Sequence, residues 1–193
     1  MMEKCIGRIV DWLVQRGEAE EADRELYAYA LKNILNAVAP IFLALLIGII
    51  LHCAFRTIMI ILPFVLLRKF SGGFHLSSAI ACVIFSSLLL IACSLLSFEL
   101  RVPEGILLIA AGASISLIIL SPRENINKPL SDIDRKRCKC WVIGIVGVLY
   151  TLIGILYLFD KEIPFRCFSI GMALTAVLQY PCLLEKRINH RTN

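Results

Sequence analysis

The sequence predicts an all-α integral membrane protein of about six transmembrane helices, preceded by an N-terminal amphipathic interfacial helix. Three observations lead there. Of its 193 residues, 59% are hydrophobic and only 18% charged, against about 45 to 50% and about 25% in soluble domains. Long apolar runs recur at lengths near the roughly 17 to 25 residues that cross hydrocarbon as a helix. The basic residues divide unevenly among the connections between those runs, as they do around membrane spans.

Residues 1–31 are expected to form an amphipathic segment on the cytoplasmic face. Met2, Ile6, Ile9, Val10, Leu13 and Val14 recur at helical spacing among Lys4, Arg8 and Asp11, the pattern of a helix lying in the membrane interface. Trp12 suits the headgroup level. The plain role of such a helix is an anchor, and the sharper one is docking a partner helix. Gly17 and the acidic residues from Glu18 to Asp23 break the pattern. No cleavable signal peptide is expected, because this charged segment precedes the first apolar run.

A helical transmembrane bundle is expected over 33–184, from apolar runs at 33–51, 79–98, 105–121, 141–159 and 163–184. A further run, 55–67, is shorter and contains Pro63, so a re-entrant segment competes there with a crossing. Charge decides for the crossing. With six spans and an inner amino terminus, sixteen of the twenty Lys and Arg face inward, and only Arg56, Arg101, Lys161 and Arg166 face outward. That is the asymmetry of cytoplasmic loops. Both termini are then cytoplasmic, 122–140 is a cytoplasmic loop and 185–193 a basic tail. The net charge of +5 follows from this topology and implies no nucleic-acid partner. The chain shows no internal repeat and reads as one membrane domain.

Eight cysteines would point to disulfides in a small secreted protein, but most of these lie in spans or on the inner side, where thiols stay reduced. Cys53, Cys93, Cys167 and Cys182 read as small apolar fillers. Cys138 and Cys140 lie where acylation occurs, and no second ligand pair with zinc spacing follows them, so no metal is expected. His52 and His190 read as interfacial or solvated side chains. No motif implies a nucleotide or organic cofactor.

The stretch "RKFSGGFHLSSAIAC", residues 68–82, is different. Arg68 and Lys69 close the second span, and Gly72 with Gly73 allow a sharp turn or expose backbone amides. Ser77 or Ser78 can cap the third span, which puts Cys82 early in that helix. Nearby cations and a helix N-terminus favour an anionic sulfur. In one continuous helix, His75 and Cys82 would stand about 10 Å apart along the axis, beyond hydrogen-bond reach. A His75 folded back from the loop can instead take the thiol proton and return it to a leaving amine. On the residues alone, a headgroup-level histidine and one more filler cysteine outweigh catalysis, since eight cysteines make chance pairs common.

A second unusual loop, "SPRENINKPLSDIDRKRCKC" at 121–140, carries two prolines that forbid a continuous helix and two asparagines that favour local turns. Its plain role is to fix topology. In a functional role, Glu124, Asn127 and Lys128 would hold the end of a peptide or orient the catalytic loop.

Taken together, "ELYAYALKNILN" before the first span, "RKFSGGFHLSSAIAC" after the second and "SPRENINKPL" after the fourth resemble the accessory gene regulator B family, bacterial membrane endopeptidases that mature quorum-sensing peptides. The resemblance covers nearly the whole chain. It implies a multi-pass protein of the bacterial cell membrane and a cysteine endopeptidase with Cys82 as nucleophile and His75 as general base. Arg68 and Gly73 match further motif positions, while Phe74 stands where tyrosine is common and Leu76 where a small residue is. The implied reaction cleaves the C-terminal part of a small precursor and closes the signalling peptide into a thiolactone or lactone through an acyl-enzyme thioester. Backbone amides near Gly72 and Gly73 would stabilise the oxyanion.

The implied partners are the lipid bilayer and a small amphipathic precursor peptide with an acidic C-terminal tail, which Lys69, Arg68 and the cations of the second loop suit. Bundles of this size are also frequently homodimers. The rival functions are a small peptide transporter or exporter and a non-catalytic membrane scaffold. Transporters usually carry ionisable residues within spans, whereas polar span residues here are small hydroxyls apart from Arg56, Arg166 and Gln179 near the ends.

Overall fold

The computed structural model describes residues 2–18, 20–72, 79–100, 102–122 and 131–181. Among these, every regular element is helical. Helix α1 (Met2–Gln15) is followed by one 3-10 turn (Glu21–Asp23), then α2 (Arg24–Ile50), α3 (Ala54–Ser71), α4 (Ala79–Glu99), α5 (Pro103–Leu120), α6 (Asp132–Leu158) and α7 (Glu162–Val177). Four of them, α2, α4, α5 and α6, are long and apolar enough to cross a bilayer. Large apolar side chains such as Ile80, Leu108, Ile119 and Val148 stand outward and exposed on them, as a hydrocarbon solvent permits and water does not.

Two boundaries differ from the sequence reading. Helix α2 begins at Arg24, so residues 24–31 belong to the first long helix and not to a separate surface segment. Good helix formers such as Glu25, Leu26, Ala28 and Ala30 carry it. Helix α6 begins at Asp132, nine residues before the expected span, and takes up most of the second half of the expected 122–140 loop. Ser131 accounts for this: its hydroxyl accepts from the Asp134 amide at 3.2 Å and donates to the Asp134 carboxylate at 2.7 Å. Asp132 and Asp134 add negative charge to the first turn, where the helix dipole favours it. Pro129 therefore precedes a capped start and breaks no helix.

The core is divided into two clusters. One joins α3, α5, α6 and α7 through Leu67, Ala110, Leu117, Val146 and Met172. The other joins α2, α3, α4 and α7 through Ala44, Ile60, Leu90, Cys167 and Ile170. Only α3 and α7 serve both. Neither belongs to the four membrane-length apolar helices; they have 18 and 16 residues, or about 27 and 24 Å of rise. Their backbones meet at Gly171, where an added Cβ would lie 2.5 Å from the Ile60 carbonyl oxygen and 2.6 Å from Pro63 Cγ. The expected run at 163–184 is thus a shorter helix ending at Val177.

Buried hydroxyls are satisfied locally. Ser94, Ser114, Ser169 and Thr175 each donate to the carbonyl four residues back, a bond that needs no water. Others cross between helices and fix their directions. The Ser87 hydroxyl is shared between the carbonyls of Val83 (2.7 Å) and Pro40 (3.1 Å), tying α4 to α2. Thr57 near the start of α3 meets Ser94 near the end of α4 at 3.0 Å. Arg56 donates to the Ser97 carbonyl and hydroxyl at 3.1 Å and lies 3.8 Å above the Phe98 ring. Helix α3 therefore runs antiparallel to α4.

Helix α1 packs on α2 with Ile6 and Val10 buried, while Ile9 and Trp12 on it remain exposed. An ion pair between Asp11 and Arg24 ties the two, and the Arg16 guanidinium covers the Trp12 ring at 4.4 Å.

Candidate active site

The antiparallel pairing of α3 and α4 puts the end of one beside the start of the other, and several features gather at that end of the bundle. Cys82 is the fourth residue of α4 and is buried at 9% exposure. Its first-turn position leaves it near backbone amides that have no intrahelical acceptor. Arg68 and Lys69 occupy the last turn of α3, each against an aromatic ring, Arg68 at 5.5 Å from Phe64 and Lys69 at 5.4 Å from Phe70. Phe70 in turn stacks on Trp141 of α6, with centroids 5.7 Å apart and planes 18° from parallel. The stack fixes the end of α3 against the third turn of α6, so the end of α3 and the early part of α6 lie at one end of the bundle.

Gly72 closes α3 with φ 71° and ψ −163°, a conformation essentially confined to glycine. Its amide still bonds to the Arg68 carbonyl at 3.3 Å. Gly72 thus ends α3 immediately before the motif residues that follow it in sequence. Gly73, His75, Glu124, Asn127 and Lys128 lie outside the described residues, as do Ser77 and Ser78, the expected caps of α4.

The same end contains a polar contact that the sequence reading missed. The Gln179 amide nitrogen donates to the Ser121 hydroxyl at 2.6 Å and reaches the Ser71 carbonyl at 3.5 Å. All three residues are buried. Its signal in the sequence is modest: one amide inside a long apolar run, with one serine at the final position of run 105–121 and another four residues after run 55–67. A cavity of about 370 Å³ opens at the opposite end of the bundle, between Pro103, Tyr157, Asp160, Lys161 and Arg166, away from Cys82. Among the described residues no cluster of three or more His, Cys, Asp or Glu is placed to hold a metal ion.

Comparison with known proteins bears on this arrangement. The family model for Accessory gene regulator B matches residues 6–179, from α1 to the glutamine in the turn after α7. The chain is similar to Accessory gene regulator protein B of Staphylococcus carnosus (strain TM300), 24% identical over 192 residues that cover 96% of this chain and 98% of that protein. No solved structure matches it. With the match running through every helix and both loops, the chain belongs to the accessory gene regulator B family.

Proposed function

We propose that this protein is a membrane-embedded cysteine endopeptidase that cleaves the C-terminal part of a small quorum-sensing precursor peptide and closes the remaining peptide into a ring. Family membership supports a role in peptide maturation. The observation that carries the chemistry is the position of Cys82 in the first turn of α4, at the end of the bundle where the motif segment 68–82 returns from α3.

The residues have a complete part to play. Cys82 Sγ attacks the scissile carbonyl carbon as His75 takes the thiol proton, and first-turn amides of α4 or the amide of Gly73 receive the oxyanion. The carbon–nitrogen bond then breaks, His75 delivers the proton to the departing amine, and an acyl thioester stays on Cys82. A cysteine thiol or serine hydroxyl within the bound peptide attacks that thioester, losing its proton as the Cys82 thiol is restored. The product is a thiolactone or a lactone. Ring closure outruns hydrolysis because a tethered nucleophile has a high effective concentration and the bundle end excludes water. Lys69, Arg68 and, from the second loop, Lys128 with Glu124 and Asn127 hold the precursor's acidic tail.

The topology proposed with this reading has six crossings. Helices α2 and α4 run in the same direction, which requires α3 to return between them, and α7 returns in the same way after α6. Both termini then lie on the cytoplasmic side, where the basic loops concentrate, and the site works at the inner face of the cell membrane.

The test uses purified protein in nanodiscs with a synthetic precursor. Cys82→Ala and His75→Ala are expected to abolish cleavage, and mass spectrometry of the parent protein under turnover should detect the precursor fragment attached to the peptide containing Cys82. Cleavage surviving Cys82→Ala would overturn the peptidase reading and leave transport or scaffolding, neither of which depends on that sulfur.

A further inference from the structure

The buried amide of Gln179 asks for an explanation that packing does not supply. A leucine would fill a similar volume in an apolar run without the penalty of a polar group taken from solvent. Gln179 is fully buried, Ser71 likewise, and Ser121 nearly so. The Ser71 carbonyl can only accept, so the Gln179 nitrogen must face it, and the same nitrogen donates to the Ser121 hydroxyl at 2.6 Å. Among the described residues the buried Gln179 carbonyl oxygen has no hydrogen-bond partner, so within them the amide is held by its donor side.

What the donor side holds is informative. Ser71 is the last residue of α3 and immediately precedes Gly72, which ends the helix before the segment containing His75. Ser121 is the residue after α5 and immediately precedes the segment containing Glu124, Asn127 and Lys128. The two segments are 50 residues apart in the chain, and one side chain from the turn after α7 touches the root of each. We propose that Gln179 is a positioning residue that fixes these two roots relative to one another, so that the catalytic segment and the segment holding the precursor's acidic tail act on one bound peptide. This inference rests on the peptidase reading above.

The experiment separates the two. Hydrogen exchange is followed in nanodiscs for Gln179→Leu and Ser121→Ala, each placed in the inactive Cys82→Ala background so that no turnover is needed. Amides in 72–79 and 121–131 are expected to exchange about tenfold faster, the factor for loss of one ordinary hydrogen bond, with α2 and α4 unchanged. No acceleration in either segment, or equal acceleration through all helices, overturns the proposal. Ser121→Ala deletes one hydroxyl and keeps the test open should Gln179→Leu fail to fold.

With Cys82 intact, kcat/KM is measured for the full precursor and for one whose acidic tail residues are replaced by glutamine or asparagine. The parent protein should favour the full precursor, and Gln179→Leu should bring that preference down toward one. A preference kept at the parental ratio, whatever the absolute rate, also overturns it. If Cys82→Ala still cleaves, the peptidase reading falls on its own account.

Discussion

Replacing Gly171 with alanine tests whether the α3–α7 crossing sets the geometry of the whole bundle. The new Cβ would lie 2.5 Å from the Ile60 carbonyl oxygen, 2.6 Å from Pro63 Cγ and 3.3 Å from the Ile60 carbonyl carbon. Ordinary contact needs about 3.5 Å, so the helices must part by roughly 1 Å. Neither neighbour can yield alone, because one is backbone and the other a ring bound to backbone. Overpacking of this kind costs about 1 to 3 kcal/mol, partly offset by alanine's helix propensity advantage of up to about 1 kcal/mol. The expected net loss is about 1 to 2 kcal/mol, or roughly 2 to 8 °C in Tm for a chain of this size. Gly144→Ala on α6 is the control: nothing lies within 4 Å of its added Cβ, so propensity acts alone and stability should hold or rise. Thermal unfolding in detergent, followed by tryptophan fluorescence, reads both. A Gly171→Ala protein as stable as the Gly144→Ala protein would refute the tight crossing.

Two further substitutions test local features of the site end. Gly72→Ala forces a side chain into a conformation with φ 71° and ψ −163° at a cost of about 1 to 3 kcal/mol, and should lower precursor cleavage at least about tenfold with helix content by circular dichroism unchanged; full cleavage would show that the exit direction does not matter. Ser131→Ala removes the cap on the Asp134 amide, worth about 1 kcal/mol, and hydrogen exchange should quicken in the first turn of α6 while its last two turns stay as they were. Equal rates in both turns before and after substitution would show that α6 starts there for another reason.

How much could be read beforehand follows from which forces act within a short window of sequence. Hydrocarbon length and loop charge are such forces, and α2, α4, α5 and α6 were legible from them. Pairing between helices is not. Run 55–67 read ambiguously because it is short and contains Pro63, yet in the structure it is the core of α3. Pro63 faces Gly171, and Arg56 finds Ser97 and Phe98 of α4. The proline that made the run ambiguous is a contact to another helix. The start of α6 was hidden for a similar reason: charged residues 132–139 read as loop, although a capped helix outside hydrocarbon tolerates charge freely. Of the site, Cys82 and the glycine turn could be picked out because their chemistry is local to one motif. Gln179 could not, since its partners lie 108 and 58 residues away.

The way α3 and α7 end bears on how the proposed site is held together. These two helices alone contribute to both core clusters, and α7, at 16 residues, is the shortest helix in either. Gly72, Ser71 and Gln179 all lie where these two helices stop. Under the peptidase reading, a bound peptide would lie beside this junction, with Cys82 in the first turn of α4. On this argument, lengthening α7 by one apolar turn after Val177 should carry Gln179 away from Ser121 and Ser71. Precursor cleavage would be lost while thermal stability is kept, and cleavage unchanged by the insertion would show that the Gln179 contacts have no part in the reaction.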